Sequence, residues 1–216
     1  MKSMCFLDRT DAGRRLAQAL IAYKGQPVVV YALPRGGVVL GVEVSRVLEA
    51  PLDLIVVRKI GHPRQPEYAI GAVAEDGYVV ANPDEVAVLD KRWLEHATAT
   101  ELKEAQRRRT LFFQGRPSVP VKDKIAIIVD DGLATGLTML AAIHEIRKRR
   151  PQKVVAAVPV AATETVHKVR SEVDDLVVLH IPGWLGAIGA FYQRFEQVSD
   201  DEVVALMKSM AAIKIA

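Results

Sequence analysis

The sequence predicts an α/β fold, a parallel sheet covered by helices, on three observations. Residues 28–32, 52–57, 125–129, 154–160 and 176–181 form apolar runs rich in β-branched side chains. Runs that are apolar rather than alternating are what strands buried on both faces require. The intervals between them carry apolar residues at helical spacing, as at Leu16, Ala19 and Leu20. Glycine-containing turns join strand to helix, and a repeating strand, loop, helix order defines the α/β class.

In chain order, residues 11–22 read as the first helix and 38–48 as the second, after the first strand. Residues 70–80 are apolar, turn, apolar around Glu75-Asp76-Gly77, the pattern of a hairpin added at the sheet edge. Residues 84–113 are long, charged and helical in pattern, and interrupt the alternation until Pro117 and Pro120 restart it. They are read as a helical insertion. Residues 137–146 supply the helix after the 125–129 strand. Residues of about 181–199, with the N-terminal residues, form a C-terminal hood. Ser199-Asp200-Asp201-Glu202 has the spacing of a capping box and predicts a last helix over 201–210.

Length and composition narrow the class. The 216 residues fit a single domain, 1–216, and a chain that is 50% hydrophobic and 25% charged is not disordered. The lone cysteine, Cys5, excludes an internal disulfide framework and a multi-cysteine zinc site. Mean hydropathy is +0.14, but the apolar runs are strand-sized and far too short to span a bilayer. Asp8, Arg9, Asp11, Arg14 and Arg15 precede any apolar block, unlike a secretory signal, so a cytoplasmic location is expected. The net charge of +3 is concentrated in residues 103–109 and 147–150. No aromatic residues alternate with these runs, so they read as solvated helix faces before nucleic-acid footprints.

The segment that carries chemistry is 125–138, IAIIVDDGLATGLT. An apolar strand enters Asp130 and Asp131, then Gly132, Leu133, Ala134, Thr135, Gly136, Leu137 and Thr138, and a helix follows at once. Ligands of open α/β sheets bind at this edge. The helix N-terminus offers free N–H groups, Gly136 permits close approach and two threonines add hydroxyl donors, which suits a phosphate monoester. Beside it, Asp130 and Asp131 can accept hydrogen bonds from sugar hydroxyls or hold a hydrated Mg²⁺ through water. The loop is neither G-x-x-x-x-G-K-[ST] nor G-x-G-x-x-G. A plain strand-to-helix turn explains Thr135 or Asp131 alone, but not adjacent acids followed by T-G-x-T.

Residues 130–138 resemble the phosphoribosyl pyrophosphate (PRPP) signature of type I phosphoribosyltransferases, and the strand and helix order supports the likeness over residues 28–181. More narrowly, Phe6-Leu7-Asp8-Arg9, Asp11-Ala12-Gly13 and Gln197-Val198-Ser199-Asp200 resemble a bacterial subgroup without an agreed substrate. The resemblance implies that Asp130 and Asp131 meet the ribose hydroxyls and that 134–138 grip the 5′-phosphate. Pro34, Arg35, Gly36 and Gly37, directly after the 28–32 strand, resemble the pyrophosphate loop. Its glycines turn N–H groups to the ligand, and Arg35 offers a bidentate fork. A mobile loop, 58–68, contributes Arg58, Lys59 and Arg64 to the leaving group.

Together the residues and the resemblance imply an enzyme of nucleotide metabolism that binds Mg²⁺-PRPP, releases pyrophosphate and joins the sugar phosphate to a nitrogen nucleophile, a nucleobase first among them. Ala134 stands where the 6-oxopurine branch has an aspartate, which leaves Glu67 as the acid/base candidate. Trp184, Phe191, Tyr192 and Phe195 are the aromatic candidates for a base platform. A homo-oligomer with small-molecule partners and no membrane contact is expected. The competing reading is a PRPP-sensing regulator that binds nucleic acid or protein through Arg107, Arg108, Arg109 and residues 147–150.

Overall fold

The computed structural model describes residues 6–212; Cys5 lies outside them. Strands β1 (Val28–Ala32), β2 (Leu52–Leu54), β6 (Ile125–Val129), β7 (Lys153–Val160) and β8 (Asp175–His180) form a five-stranded sheet ordered β2-β1-β6-β7-β8. Every pairing in it is parallel. Side chains alternate between two cores. Val28, Val30, Ala32, Ile127, Val129, Val155 and Ala157 pack with helices α1 (Arg9–Ala19), α2 (Gly36–Leu48) and α7 (Asp200–Ala212). Val29, Tyr31, Ala126, Ile128, Ala156 and Val158 pack on the other face with α5 (Leu137–Lys148) and α6 (Thr163–Arg170). Burial on both faces is why the sequence runs lack alternation.

The expected 52–57 strand is two strands in two sheets. The last parallel contact is the Ile55 N–H to Ala32 carbonyl bond at 3.2 Å. The chain then turns, and β3 (Val57–His62) pairs antiparallel with β4 (Gln65–Ala74), which pairs with β5 (Val79–Ala81). Ile55 and Val56 are buried through the change, so hydropathy gives no sign of it. The 70–80 hairpin is present, but belongs to this separate three-stranded sheet and not to the edge of the parallel one. Residues 58–68, expected as a loop, form the β3–β4 ribbon with Pro63 and Arg64 at its turn.

The helical insertion comprises α3 (Pro83–Ala87) and α4 (Lys91–Phe113). Asp90 caps α4 by accepting the Trp93 N–H at 2.8 Å. The last helix starts at its predicted capping box: the Ser199 N–H donates to Glu202 Oε2 at 2.7 Å, and the Glu202 N–H donates to Ser199 Oγ at 3.2 Å. Ser199→Ala is expected to lower unfolding free energy by about 1 kcal/mol in a urea titration, the usual worth of an N-cap side chain.

Candidate active site

Four segments converge at the carboxyl ends of β1 and β6. Beyond β6 the Asp131 N–H donates to Asp130 Oδ1 at 2.8 Å, a local bond that fixes the first acid against the backbone of the second. Leu133 then runs beside β7, its N–H on the Val160 carbonyl at 2.9 Å and its carbonyl accepting from the Ala162 N–H at 3.0 Å. Gly136 begins α5 at φ 77°, in the left-handed region, and a Cβ there would lie 2.6 Å from Thr165 Cγ2. Glycine is needed on both counts. Among the described residues no side chain caps α5, so its first N–H groups and positive dipole end are open to an anion.

The 34–37 turn braces the acids from β1. The Pro34–Arg35 peptide is cis. A Cβ at Gly36 would overlap Asp131 Oδ2, and one at Gly37 would lie 2.7 Å from the Val129 carbonyl oxygen. Arg35 itself turns to the N-terminus of α7, 3.5 Å from Asp200 Oδ1. Its geometry is that of a link between turn and last helix.

The N-terminal segment pairs with the hood. Phe6 N–H donates to the Phe191 carbonyl, and the N–H groups of Gln193 and Arg194 donate back to Phe6 and Leu7. Asp8 caps α1 by accepting the Asp11 N–H. This places Arg9 beside the acids: Arg9 Nε lies 2.8 Å from Asp131 Oδ2, Nη1 donates to the Glu196 carbonyl at 2.6 Å, and the guanidinium stands 3.7 Å from the centre of the Phe195 ring. Tyr192 OH donates to the Asp131 carbonyl at 2.7 Å. Burial pushes both Asp130 and Asp131 above the usual carboxylate range; the charge of Asp131 raises Asp130 further, whereas Arg9 opposes the rise at Asp131.

A cavity of about 610 Å³ opens over this arrangement, lined by Arg9, Lys59, Glu67, Tyr68, Ala69, residues 130–136, Thr138, Met139, Gly186, Ile188 and Phe195. The expected acids, the 132–138 turn, Lys59 and Glu67 are therefore brought together, except that Leu137 is buried behind the turn. Glu67 is 95% exposed and pairs with Lys59 at 2.7 Å, which holds its carboxyl below the usual range. Arg58 instead pairs with Glu101 of α4 at 2.8 Å, and Arg64 sits exposed at the ribbon turn. Of the aromatic candidates, Phe195 lines the cavity. Phe191 is buried against His180, and Tyr192 is buried between Phe6 and Phe195. Trp184 is 82% exposed and covers Gly186 from outside. Position along the hood did not separate platform from core, because all four rings lie on one irregular segment. Arg9, Tyr68 and Ile188 were not foreseen as site residues. The Phe6-Leu7-Asp8-Arg9 likeness was the available signal for the first.

Two acids beside an uncapped helix N-terminus and a glycine turn thus stand at the strand ends where open α/β sheets bind their ligands. Residues 7–191 match the model of the phosphoribosyl transferase domain, and the chain belongs to that family. It is 47% identical over 204 residues to a Mycobacterium tuberculosis protein whose name is "Putative phosphoribosyl transferase". That match covers 94% of this chain and 46% of the relative, so the chain spans about half the length of the curated relatives it matches. Among solved structures, the TT1426 protein of Thermus thermophilus is 39% identical with a TM-score of 0.79, covering 96% of this chain and 99% of that one.

Proposed function

We propose that the chain is a phosphoribosyltransferase that binds Mg²⁺-PRPP, transfers the phosphoribosyl group to a nitrogen nucleophile, a nucleobase by preference, and releases pyrophosphate. The observation that carries this reading is the Asp130–Asp131 pair opening on one cavity with the uncapped N-terminus of α5. The acids accept from the ribose hydroxyls, and Thr135, Thr138 and the α5 N–H groups hold the 5′-phosphate. The C1–oxygen bond to pyrophosphate breaks as the C1–nitrogen bond forms. Lys59 faces the charge that grows on pyrophosphate, and Glu67 takes the proton released by the nitrogen.

Mg²⁺ fits the donor set present. Among the described residues no group of three metal-binding side chains gathers, and Mg²⁺ in phosphate sites uses one or two carboxylates, water and substrate oxygens rather than a protein cage. Asp130 and Asp131 would hold it through water; when bound with PRPP it neutralises the diphosphate charge.

The competing regulator reading would use a basic surface that is partly paired, with Arg147, Lys148 and Arg150 exposed. Arg107 and Arg108 pair with Glu104, Arg109 pairs with Glu75, and Arg149 pairs with Glu145. A steep fall of oligonucleotide affinity with salt would favour that reading over the transferase.

The test is a panel of bases and small amines with Mg²⁺-PRPP, monitored for pyrophosphate and for thermal stability. Release with at least one acceptor is expected, together with stabilisation of about 2.7 kcal/mol at PRPP a hundred times its dissociation constant. The absence of both would remove the reading.

A further inference from the structure

Acid pairs that bind a sugar leave half of its chemistry unmet. Ionised carboxylates only accept hydrogen bonds, whereas each hydroxyl both donates and carries lone pairs that lose water when the sugar is enclosed. Arg9 stands where a donor is needed. Its Nε holds Asp131 Oδ2 at 2.8 Å, and Nη1 is committed to the Glu196 carbonyl at 2.6 Å. The planar group is fixed by the Phe195 ring at 3.7 Å. Its side chain is only 12% exposed, yet it lines the 610 Å³ cavity. Nη2 makes no hydrogen bond among the described residues, and it is not sealed in the interior as an orphaned donor. In a guanidinium, Nη2 shares the Nε edge, so this free donor lies on the same side as the Asp131 carboxylate.

We propose that Arg9 and Asp131 read the ribose diol together: Asp131 accepts a hydrogen bond from a hydroxyl while Nη2 of Arg9 donates one to an oxygen of the diol. The N-terminal segment is then part of the substrate site, delivered by its pairing with the hood, and Arg9 determines specificity for a sugar with both hydroxyls. This assignment rests on the phosphoribosyl reading above. A purely structural ion pair, tying the N-terminal segment to the sheet edge, would leave sugar preference untouched.

The probe is ribose 5-phosphate, compared with its 2-deoxy and 3-deoxy analogues by calorimetry in the absence of metal, on the full chain. A charge-assisted hydrogen bond corresponds to roughly tenfold or more in affinity, so the wild type is expected to disfavour at least one analogue by about that factor. Arg9→Met keeps an apolar chain on Phe195 and removes the donor; its preference for ribose is expected to collapse. Arg9→Lys restores a donor and is expected to recover part of it. Melting temperatures of the variants separate sugar recognition from folding. If Arg9→Met weakens all three sugars equally and keeps the wild-type ratios, the assignment of Arg9 is overturned while the site remains. A wild type that binds neither ribose 5-phosphate nor PRPP overturns the phosphoribosyl reading itself, and this one with it.

Discussion

Gly36→Ala is expected to reduce turnover with PRPP on the order of a hundredfold, the scale of a misplacement of about 1 Å at a reacting centre, while the protein still folds. The added Cβ would overlap Asp131 Oδ2 and lie 2.7 Å from Asp131 Cγ and 2.8 Å from Arg9 Nε. The carboxylate cannot simply swing aside, because Arg9 holds one of its oxygens and the Arg9 guanidinium is itself held by Glu196 and Phe195. The methyl group therefore displaces the whole pair. Asp131→Asn should fail by a different route: the carboxamide keeps the shape but gives up the charge that accepts from the sugar and partners Arg9. Pyrophosphate-release kinetics check both variants, with circular dichroism to confirm folding. Near wild-type turnover in Gly36→Ala would show that the position of Asp131 is not critical.

The same crowding separates what was legible in the chain from what was not. The loop 130–138 was legible because the residues that line the cavity are adjacent in the chain and follow a strand whose burial on both faces leaves an unbroken apolar run. The neighbours of that loop were not. Arg9 and Asp131 are separated by 122 positions, and nothing in local pattern joins them. Arg35 sits beside Gly36 and Gly37 but points to Asp200, since a side chain's direction at a turn follows from tertiary partners. The 52–57 run hid a change of sheet because both of its halves are buried. Asp53, the polar residue inside that run, stays buried because its carboxylate accepts the N–H groups of Leu54 and Val119, a solution that hydropathy cannot register.

Asp53 also belongs to a buried charge cluster remote from the acid pair in sequence, and there the largest stability effect is expected. Arg149, at the end of α5, pairs with Glu145 and lies 3.8 Å from Glu75 and 5.7 Å from the centre of the Tyr31 ring. Arg109 of α4 completes the group by pairing with Glu75. Three carboxylates thus face two guanidiniums. Burial, reinforced by the charge of Glu145, pushes the Glu75 carboxyl up to about 7. Glu75 Oε2, Glu145 Oε2 and Arg149 Nη1 have no hydrogen-bond partner among the described residues, so little compensation is available if a cation is lost. Arg149→Met keeps the bulk against Tyr31 and leaves three acids facing Arg109 alone. The expected cost above pH 7 is about 3–5 kcal/mol, as for removing one partner of a buried ion pair. The sign of the pH dependence follows from proton uptake. With its folded-state pKa raised above the unfolded value, Glu75 binds more protons in the folded protein between those values, so stability rises as pH falls through about 7. Removing Arg149 pushes Glu75 further in the same direction. The deficit of the variant should therefore narrow as pH falls toward about 7, where Glu75 is protonated in the variant but still ionised in the wild type, and level off below about pH 6, where both are protonated, in urea titrations. A deficit that stays constant from about pH 6 upward would mean that Arg149 acts by packing on Tyr31 and not by its charge.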